Sequence, residues 1–339
     1  MKKVLIVGAT GMMGTHIVPL LLEKGYAVDG VTLDDVKSNH PALRYIKTNA
    51  YDESVLRELL KNGYDGIIDF LHYTDSNVFK ARAHMFLEAT KHYIFLSSYR
   101  VYADCTGVIT EDFSRLTESY ADDEYLIKND IYGVPKCRCE DILNQSGNQN
   151  YTIVRPVVVY AESCLLLVTW KGRIIPYRAQ KGGKLLLPIE AKDKYASIIY
   201  AGDIARFFAE LLFNEKAFGQ AYTFGSPEAI TWGEMAEIYR ELCGIEYEWI
   251  AGEEFAKMAM GNSQKIDSGM KFMLYYDRFF NRRVNVDKVL KDSGLKADMF
   301  ISHKDGLKKC VDAYPKDYQP TDWEKSQVGF MDEYIKNNT

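Results

Sequence analysis

Tyr132-Gly133-Val134-Pro135-Lys136 sets a phenol and an ammonium four residues apart, which a helix would bring to one face. An ordinary phenol has a pKa of about 10, too high for a base near neutrality, but a neighbouring cation favours the phenolate. Tyr132 could then take a proton from a substrate hydroxyl while the carbon beneath it loses hydride. Upstream, Phe95-Leu96-Ser97-Ser98-Tyr99-Arg100-Val101-Tyr102 ends an apolar run, and Ser98 could hydrogen-bond the same substrate oxygen. Nothing in this set stores a covalent intermediate.

A hydride needs an acceptor, and the amino-terminal segment offers a place for one. Gly8-Ala9-Thr10-Gly11-Met12-Met13-Gly14 is a G-x-x-G-x-x-G motif between a β-branched run and a helical pattern. Gly8 permits the tight turn, Gly11 lets a pyrophosphate approach the backbone, and Gly14 lets helix and strand pack closely. The helix start supplies free N–H donors and partial positive charge for the anion. A ribose-binding acid is expected about 20 residues on, near the end of the second strand. Gly30-Val31-Thr32-Leu33-Asp34-Asp35 makes Asp34 the candidate, with Thr32 as the alternative occupant of that spot. No arginine follows to meet a 2′-phosphate and two carboxylates would repel one, so NAD is favoured over NADP. The plainer reading of Asp34 and Asp35 is the start of a solvated loop.

The elements that must hold these residues alternate. Strands are expected at Lys3 to Val7, Ala27 to Leu33, Tyr64 to Leu71 and Tyr93 to Ser97, with helices at Thr15 to Lys24, Tyr51 to Leu60 and Phe79 to Thr90. That βαβαβ order predicts a parallel sheet with helices on both faces, its strands buried on both sides. Residues 103–129 read as an acidic loop, followed by a helix from about Asn129 to Asn144 and a strand from Tyr151 to Val154. Pro135 inside that helix predicts a late start or a kink. Further helices are expected at Gly202 to Asn214, Thr231 to Cys243 and Asn285 to Ser293.

Composition narrows the classes. The 339 residues suit about two domains at roughly 150 residues each. With 47% apolar residues the chain can bury a core, and the net charge of 42 − 47 = −5 gives no footprint for non-specific nucleic-acid binding. The longest apolar runs are too short to span a bilayer, and Val4 to Val7 reads as a strand rather than a signal peptide. Six scattered cysteines and six isolated histidines show no metal-ligand spacing, so no metal is expected. Cys137 and Cys139 read as buried packing, Arg282-Arg283 as a solvated surface pair, and the methionines and phenylalanines between Met258 and Phe280 as an apolar lid or core. The expected location is the cytoplasm.

GATGMMG, SSYRVY and YGVPK, in this order, resemble the extended short-chain dehydrogenase/reductase family, specifically its NAD-dependent sugar-nucleotide epimerases and dehydratases. The likeness continues through Arg155-Pro156, Tyr200 to Ala205, Tyr222 to Ser226 and Val286 onward. It implies a Rossmann-type doubly wound parallel sheet with a smaller C-terminal α+β substrate-binding region. The implied divisions are a cofactor domain over 1–157 with 196–225 returning to it, a substrate region over 158–195 and 226–315, and an extension over 316–339. Carried over, Ser98 is the polarising donor, Tyr132 the acid/base, and Lys136 the cation that also holds the cofactor ribose. Met12 and Met13 match loop positions meeting the pyrophosphate, and Asn49 and Ala50 the adenine side. Phe70 and Leu71 match the strand end beside NAD, Ser97 the strand end before the donor, and Pro156 the backbone near the nicotinamide amide. The family often pairs into homodimers.

The chain also departs from that pattern. Val158 replaces a common asparagine that meets the substrate's nucleotide, Ala161-Glu162 replaces glycine-proline, and His72-Tyr73 replaces small residues. The leading reading is an NAD-dependent epimerase/dehydratase-type oxidoreductase acting on a sugar-like hydroxyl. Its alternatives are a reductase or dehydrogenase of a non-nucleotide carbonyl compound, and a non-catalytic NAD- or RNA-binding homologue.

Overall fold

A computed structural model describes residues 1–262 and 268–338. The first stretch runs β1 (Lys3–Val7), α1 (Gly14–Glu23), β2 (Ala27–Thr32), β3 (Leu43–Lys47), α2 (Glu53–Leu60), β4 (Gly66–Asp69), α3 (Ser76–Ala89) and β5 (His92–Leu96). After a short 3-10 turn at Tyr99–Val101 come α4 (Leu116–Ser119), α5 (Glu124–Asn129), α6 (Gly133–Asn144), β6 (Tyr151–Pro156) and β7 (Val158–Tyr160). The rest follows as β8 (Leu165–Leu167), β9 (Trp170–Gly172), α7 (Ile174–Gln180), β10 (Lys184–Pro188), β11 (Ile198–Tyr200), α8 (Ala201–Leu211) and β12 (Gln220–Phe224). Last are α9 (Trp232–Cys243), β13 (Glu246–Ile250), α10 (Gly252–Ala259), α11 (Ser268–Met273), α12 (Asp287–Ser293), α13 (His303–Asp312) and α14 (Asp322–Asn338).

Seven strands form one sheet in the order β12-β6-β5-β4-β1-β2-β3, every pair parallel. This is the Rossmann-type doubly wound architecture, in which order reverses on either side of β1 and ligands collect beyond the strands' carboxyl ends. Helices cover both faces, so Val4 to Val7 and Gly66 to Asp69 are fully buried, as parallel strands require. β3 is one edge. It has no fully buried residue, and its Arg44 forks onto Asp29 of β2 at 2.6 and 3.1 Å.

One apolar core lies between the sheet and α1, α8 and α12, and another between the sheet and α2, α3 and α6. A third, built on Trp170, Leu185 to Leu187, Trp232, Met235, Tyr239 and Phe255, belongs to the elements after β7. Two parallel pairs, β7 with β11 and β10 with β13, and the antiparallel β8 and β9 sit outside the main sheet.

The acidic segment after residue 103 differs from the expected loop, since it folds into α4 and α5. The helix expected from Asn129 also begins later, at Gly133. The Asp130 carboxylate draws the chain out of helical geometry by accepting the N–H groups of Tyr132 at 3.1 Å and Val134 at 2.8 Å. Pro135 thereby falls third in α6, within the first turn, where a missing N–H removes no helical bond.

Candidate active site

The loop between β1 and α1 is closed by backbone bonds, with Gly8 and Ala9 N–H both donating to Val31 O at 3.0 Å. Gly8 adopts φ +90°, the left-handed region that glycine enters without steric cost. A Cβ on Gly14 would lie 2.4 Å from Ala9 O, and one on Gly30 would lie 2.7 Å from Ala9 Cβ. The loop therefore packs against helix and second strand at distances only glycine allows. Among the described residues the N–H groups of Met12, Met13 and Gly14 have no hydrogen-bond partner, which leaves them to meet an anion at the start of α1.

Beside this loop a cavity of about 280 Å³ opens at the carboxyl ends of β1, β2 and β4. It is lined by Gly8, Thr10, Asp34, Asn49, Ala50 and Leu71, all named as cofactor positions from the sequence, together with Thr32, Thr48 and Tyr51. Asp34 is held rather than loose: the Thr10 hydroxyl donates to its Oδ2 at 2.6 Å, and its own N–H donates to Thr32 Oγ1 at 3.0 Å. Phe70 forms the wall beneath Gly8, its ring edge-on to Phe208 at 5.3 Å between centroids. The cradle and the cavity fit a dinucleotide's pyrophosphate and one nucleoside.

Ser98, Tyr132 and Lys136, the expected reacting residues, lie further along the same sheet edge. Ser98 follows β5, is buried, and caps the 3-10 turn by accepting Arg100 N–H at 3.2 Å. A Cβ on Gly133 would sit 3.0 Å from Arg100 O, so α6 begins directly against that turn. Tyr132, half-buried, precedes the helix, and its carbonyl accepts Lys136 N–H at 3.1 Å, so the four-residue spacing survives the late start. The Tyr132 hydroxyl has no hydrogen-bond partner among the described residues and is not sealed from solvent.

Lys136 is 2% exposed; its ammonium donates to Leu96 O and reaches Leu71 O at 3.5 Å, with the Phe95 ring 4.8 Å away. Burial lowers its pKa to about 8, against smaller raising effects from Cys139, Asp69 and Glu140. Pro156 ends β6 opposite Phe224. The Ser97 hydroxyl is directed to Glu140 Oε1 at 2.5 Å, leaving the backbone of Ser97 at the strand end.

Several residues here were not singled out from sequence. Glu140 is fully buried and takes a two-pronged bond from Arg155 at 2.9 and 2.8 Å, fastening α6 to β6. It lies one turn beyond Lys136, and that i+4 spacing was the available signal. The His72 ring stacks on Tyr132 at 5.0 Å, its Nδ1 buried without a partner among the described residues, and burial lowers its pKa. Arg100 lies over the same phenol, its guanidinium carbon 4.9 Å from the ring centroid. Arg282, expected at the surface, is 2% exposed: three main-chain carbonyls and buried Asp277 receive it, while Arg283 stays exposed. Alternation along the short extended segment bridging Ile109 sends the neighbours to opposite sides.

Cys137 and Cys139 are buried free thiols with pKa pushed up to about 12 by burial. Met258 and Phe272 are buried in the cores, whereas residues 263–267 of the expected lid lie outside the described residues. Among the described residues no cluster of three acidic, histidine or cysteine side chains is placed to hold a metal, and no helix is long and apolar enough to cross a membrane.

The family model for the NAD-dependent epimerase/dehydratase family matches residues 4–225, which span the cradle, the cavity and the Ser98–Tyr132–Lys136 set. The chain belongs to that family. It is accordingly an enzyme of an NAD-dependent class. The curated proteins contain no match.

Among solved structures, dTDP-glucose 4,6-dehydratase from Bacillus anthracis in complex with NAD aligns with TM-score 0.69 at 16% identity over 94% of this chain and 97% of that one. UDP-glucose 4-epimerase from Thermotoga maritima with UDP-glucose aligns at 0.65 and 15%, over 92% and 98%. WbmH of Bordetella bronchiseptica with NAD+ aligns at 0.66 and 17%, over 94% and 99%. At these identities the likeness is one of fold.

Proposed function

We propose that this family member oxidises a secondary hydroxyl of a sugar-like substrate, with Tyr132 as the proton acceptor. The observation that carries the reading is a phenol with an unengaged hydroxyl, four residues from a buried ammonium, at the sheet edge that holds the nucleotide cavity. When bound, NAD supplies the hydride acceptor; Gly8, Gly11 and Gly14 with the N–H groups of Met12 and Met13 would hold its pyrophosphate, and Asp34 a ribose.

The chain's own groups do the rest. Ser98 Oγ accepts only Arg100 N–H among the described residues, so its proton is available to the substrate oxygen and can fix it. The Arg100 guanidinium stands over the Tyr132 ring, on which negative charge develops as the proton moves, and Lys136 sits one helical turn on. The substrate proton passes to Tyr132 Oη as the C–H bond breaks; in an epimerase the reverse transfer restores the hydroxyl, whereas a dehydratase leaves that carbon a carbonyl.

The epimerases and dehydratases with which the fold aligns support a sugar nucleotide as substrate. Val158 favours a second reading. It is apolar and packs against two cores, while Glu162 is engaged by Tyr200 at 2.6 Å and Lys309 at 3.1 Å. Those positions offer no free amide or hydroxyl to a nucleotide, which suits a non-nucleotide carbonyl or alcohol. Calorimetric titration with UDP and dTDP separates the two: micromolar binding selects the sugar nucleotide, and none selects the smaller substrate.

The test of the shared mechanism is Tyr132→Phe. NAD reduction should fall about 10²- to 10⁴-fold with cofactor affinity preserved, as loss of a general base predicts. Undiminished turnover would refute the assignment.

A further inference from the structure

Beside Tyr132 three guanidinium groups share one carboxylate. Asp277 is fully buried; Arg278 Nη1 bonds it, Arg282 Nε lies 3.3 Å from Oδ1, and Arg100 Nε lies 3.7 Å from Oδ2. The cluster therefore carries 3 − 1 = 2 positive charges in excess. Asp104 and Asp123, which accept Asn281 N–H and Tyr276 O–H from the same segment, form no ion pair with these arginines among the described residues.

Burying net charge is costly unless an opposite charge or dense hydrogen bonding offsets it. Two of the arginines are offset in that way. Arg278 donates to Val168 O at 2.7 Å and to Tyr99 Oη at 3.0 Å, and Arg282 donates to Tyr102 O at 2.7 Å, Ala103 O at 3.1 Å and Tyr276 O at 2.9 Å. Arg100 is not. Among the described residues its buried Nε has no hydrogen bond, and of its five donors only one on Nη2 has an acceptor, Phe272 O at 3.3 Å. Its side chain is also the most open of the three, 15% exposed against 7% and 3%. The 3-10 turn that raises it starts at Ser98, and its guanidinium sits over the phenol of Tyr132. An under-bonded fork of this kind is shaped for a carboxylate or phosphate.

We propose that Arg100 receives an anionic group, carboxylate or phosphate, carried by the substrate close to the hydroxyl that Tyr132 deprotonates. The substrate is then an acidic polyol or sugar rather than a neutral one, and Asp277 is the positioning residue that aims the guanidinium. This inference rests on the reading of Ser98 and Tyr132 given above.

The test is calorimetric titration of the NAD-loaded full chain with three probes: sodium D-glucuronate, glucose 6-phosphate and D-glucose. One charged probe should bind about ten- to a hundredfold tighter than D-glucose, the range expected of hydrogen bonds to a charged group. Which probe gains identifies carboxylate or phosphate. Arg100→Met should abolish the preference and Arg100→Lys should restore part of it, the lysine variant serving also if the methionine variant does not fold. Equal affinities, no binding of either charged probe, or a preference that persists in Arg100→Met overturns the proposal. If the charge preference is absent while turnover still depends on Tyr132, only the anion receptor fails. If the preference holds while Tyr132→Phe turns over normally, only the proton-transfer reading fails.

Discussion

Lys136 shows how burial sets a residue's working range. Its folded-state pKa of about 8 lies below the ordinary lysine value of about 10.4, so the charged form is the disfavoured one in the fold. In the proposed mechanism the Lys136 cation acts with Tyr132, and it is present below about pH 8 and lost above it. The kcat/KM profile should therefore show an alkaline limb near pH 8. Lys136→Arg should move that limb upward, because a guanidinium does not titrate there. The linkage sign is the opposite of that for a paired lysine. Between about pH 8 and 10.4 the unfolded chain binds the extra proton, so the penalty that the buried Lys136 charge places on folding is relieved as pH rises through that window, and pH-dependent denaturation of Lys136→Met should lack this dependence. At this scale the candidate groups were legible from residue type and spacing, but the surroundings of each residue were not. Nothing in the order His72, Arg100, Tyr132 reveals that an imidazole and a guanidinium both lie against the phenol.

Elements carry the reacting groups only as firmly as they are tied. α6 is fastened to β6 by the buried Glu140–Arg155 pair, and the Glu140 carboxylate also receives the Ser97 hydroxyl. Glu140→Ala would leave Arg155 charged and unpaired in the core. We expect a loss of about 3–5 kcal/mol in urea denaturation, with a fall in kcat as α6 shifts against Ser98. The β1–α1 turn is equally exacting: Gly14→Ala places a methyl 2.4 Å from Ala9 O, and should weaken NAD binding measured by fluorescence while Tyr132 and Ser98 remain intact. Helices and buried strands showed in the sequence because their periods are written in apolar residues. β3 did not, since an edge strand needs no continuous apolar run, and α4 and α5 did not, since four- and six-residue helices leave too short a pattern.

On the scale of the whole molecule, the third core depends on the chain's last helix. Glu324 in α14 is 2% exposed and accepts Arg173 N–H at 2.8 Å, Tyr318 O–H at 2.6 Å and Thr321 N–H at 2.8 Å, stapling the helix to the segment entering α7. Glu324→Ala leaves those donors unsatisfied and should cost about 1–3 kcal/mol by chemical denaturation. NAD affinity should be unchanged, because the cradle and its cavity belong to β1, β2 and β4. A coupled loss of NAD binding would show that the two regions do not respond separately.

The linear order of residues was enough to specify a parallel sheet, a glycine-rich turn before the first helix and a tyrosine–lysine pair, because each follows from local spacing: apolar runs, glycines three apart, and one helical turn. Assembly in space alone decided that Ser97 bonds Glu140, that Arg100 lies near Asp277, and that Arg282 is buried beside Asp277 while its neighbour faces water. Those outcomes join residues as far apart as Arg100 and Asp277. Desolvation and charge balance act on whatever the fold brings together, and sequence distance carries no record of it.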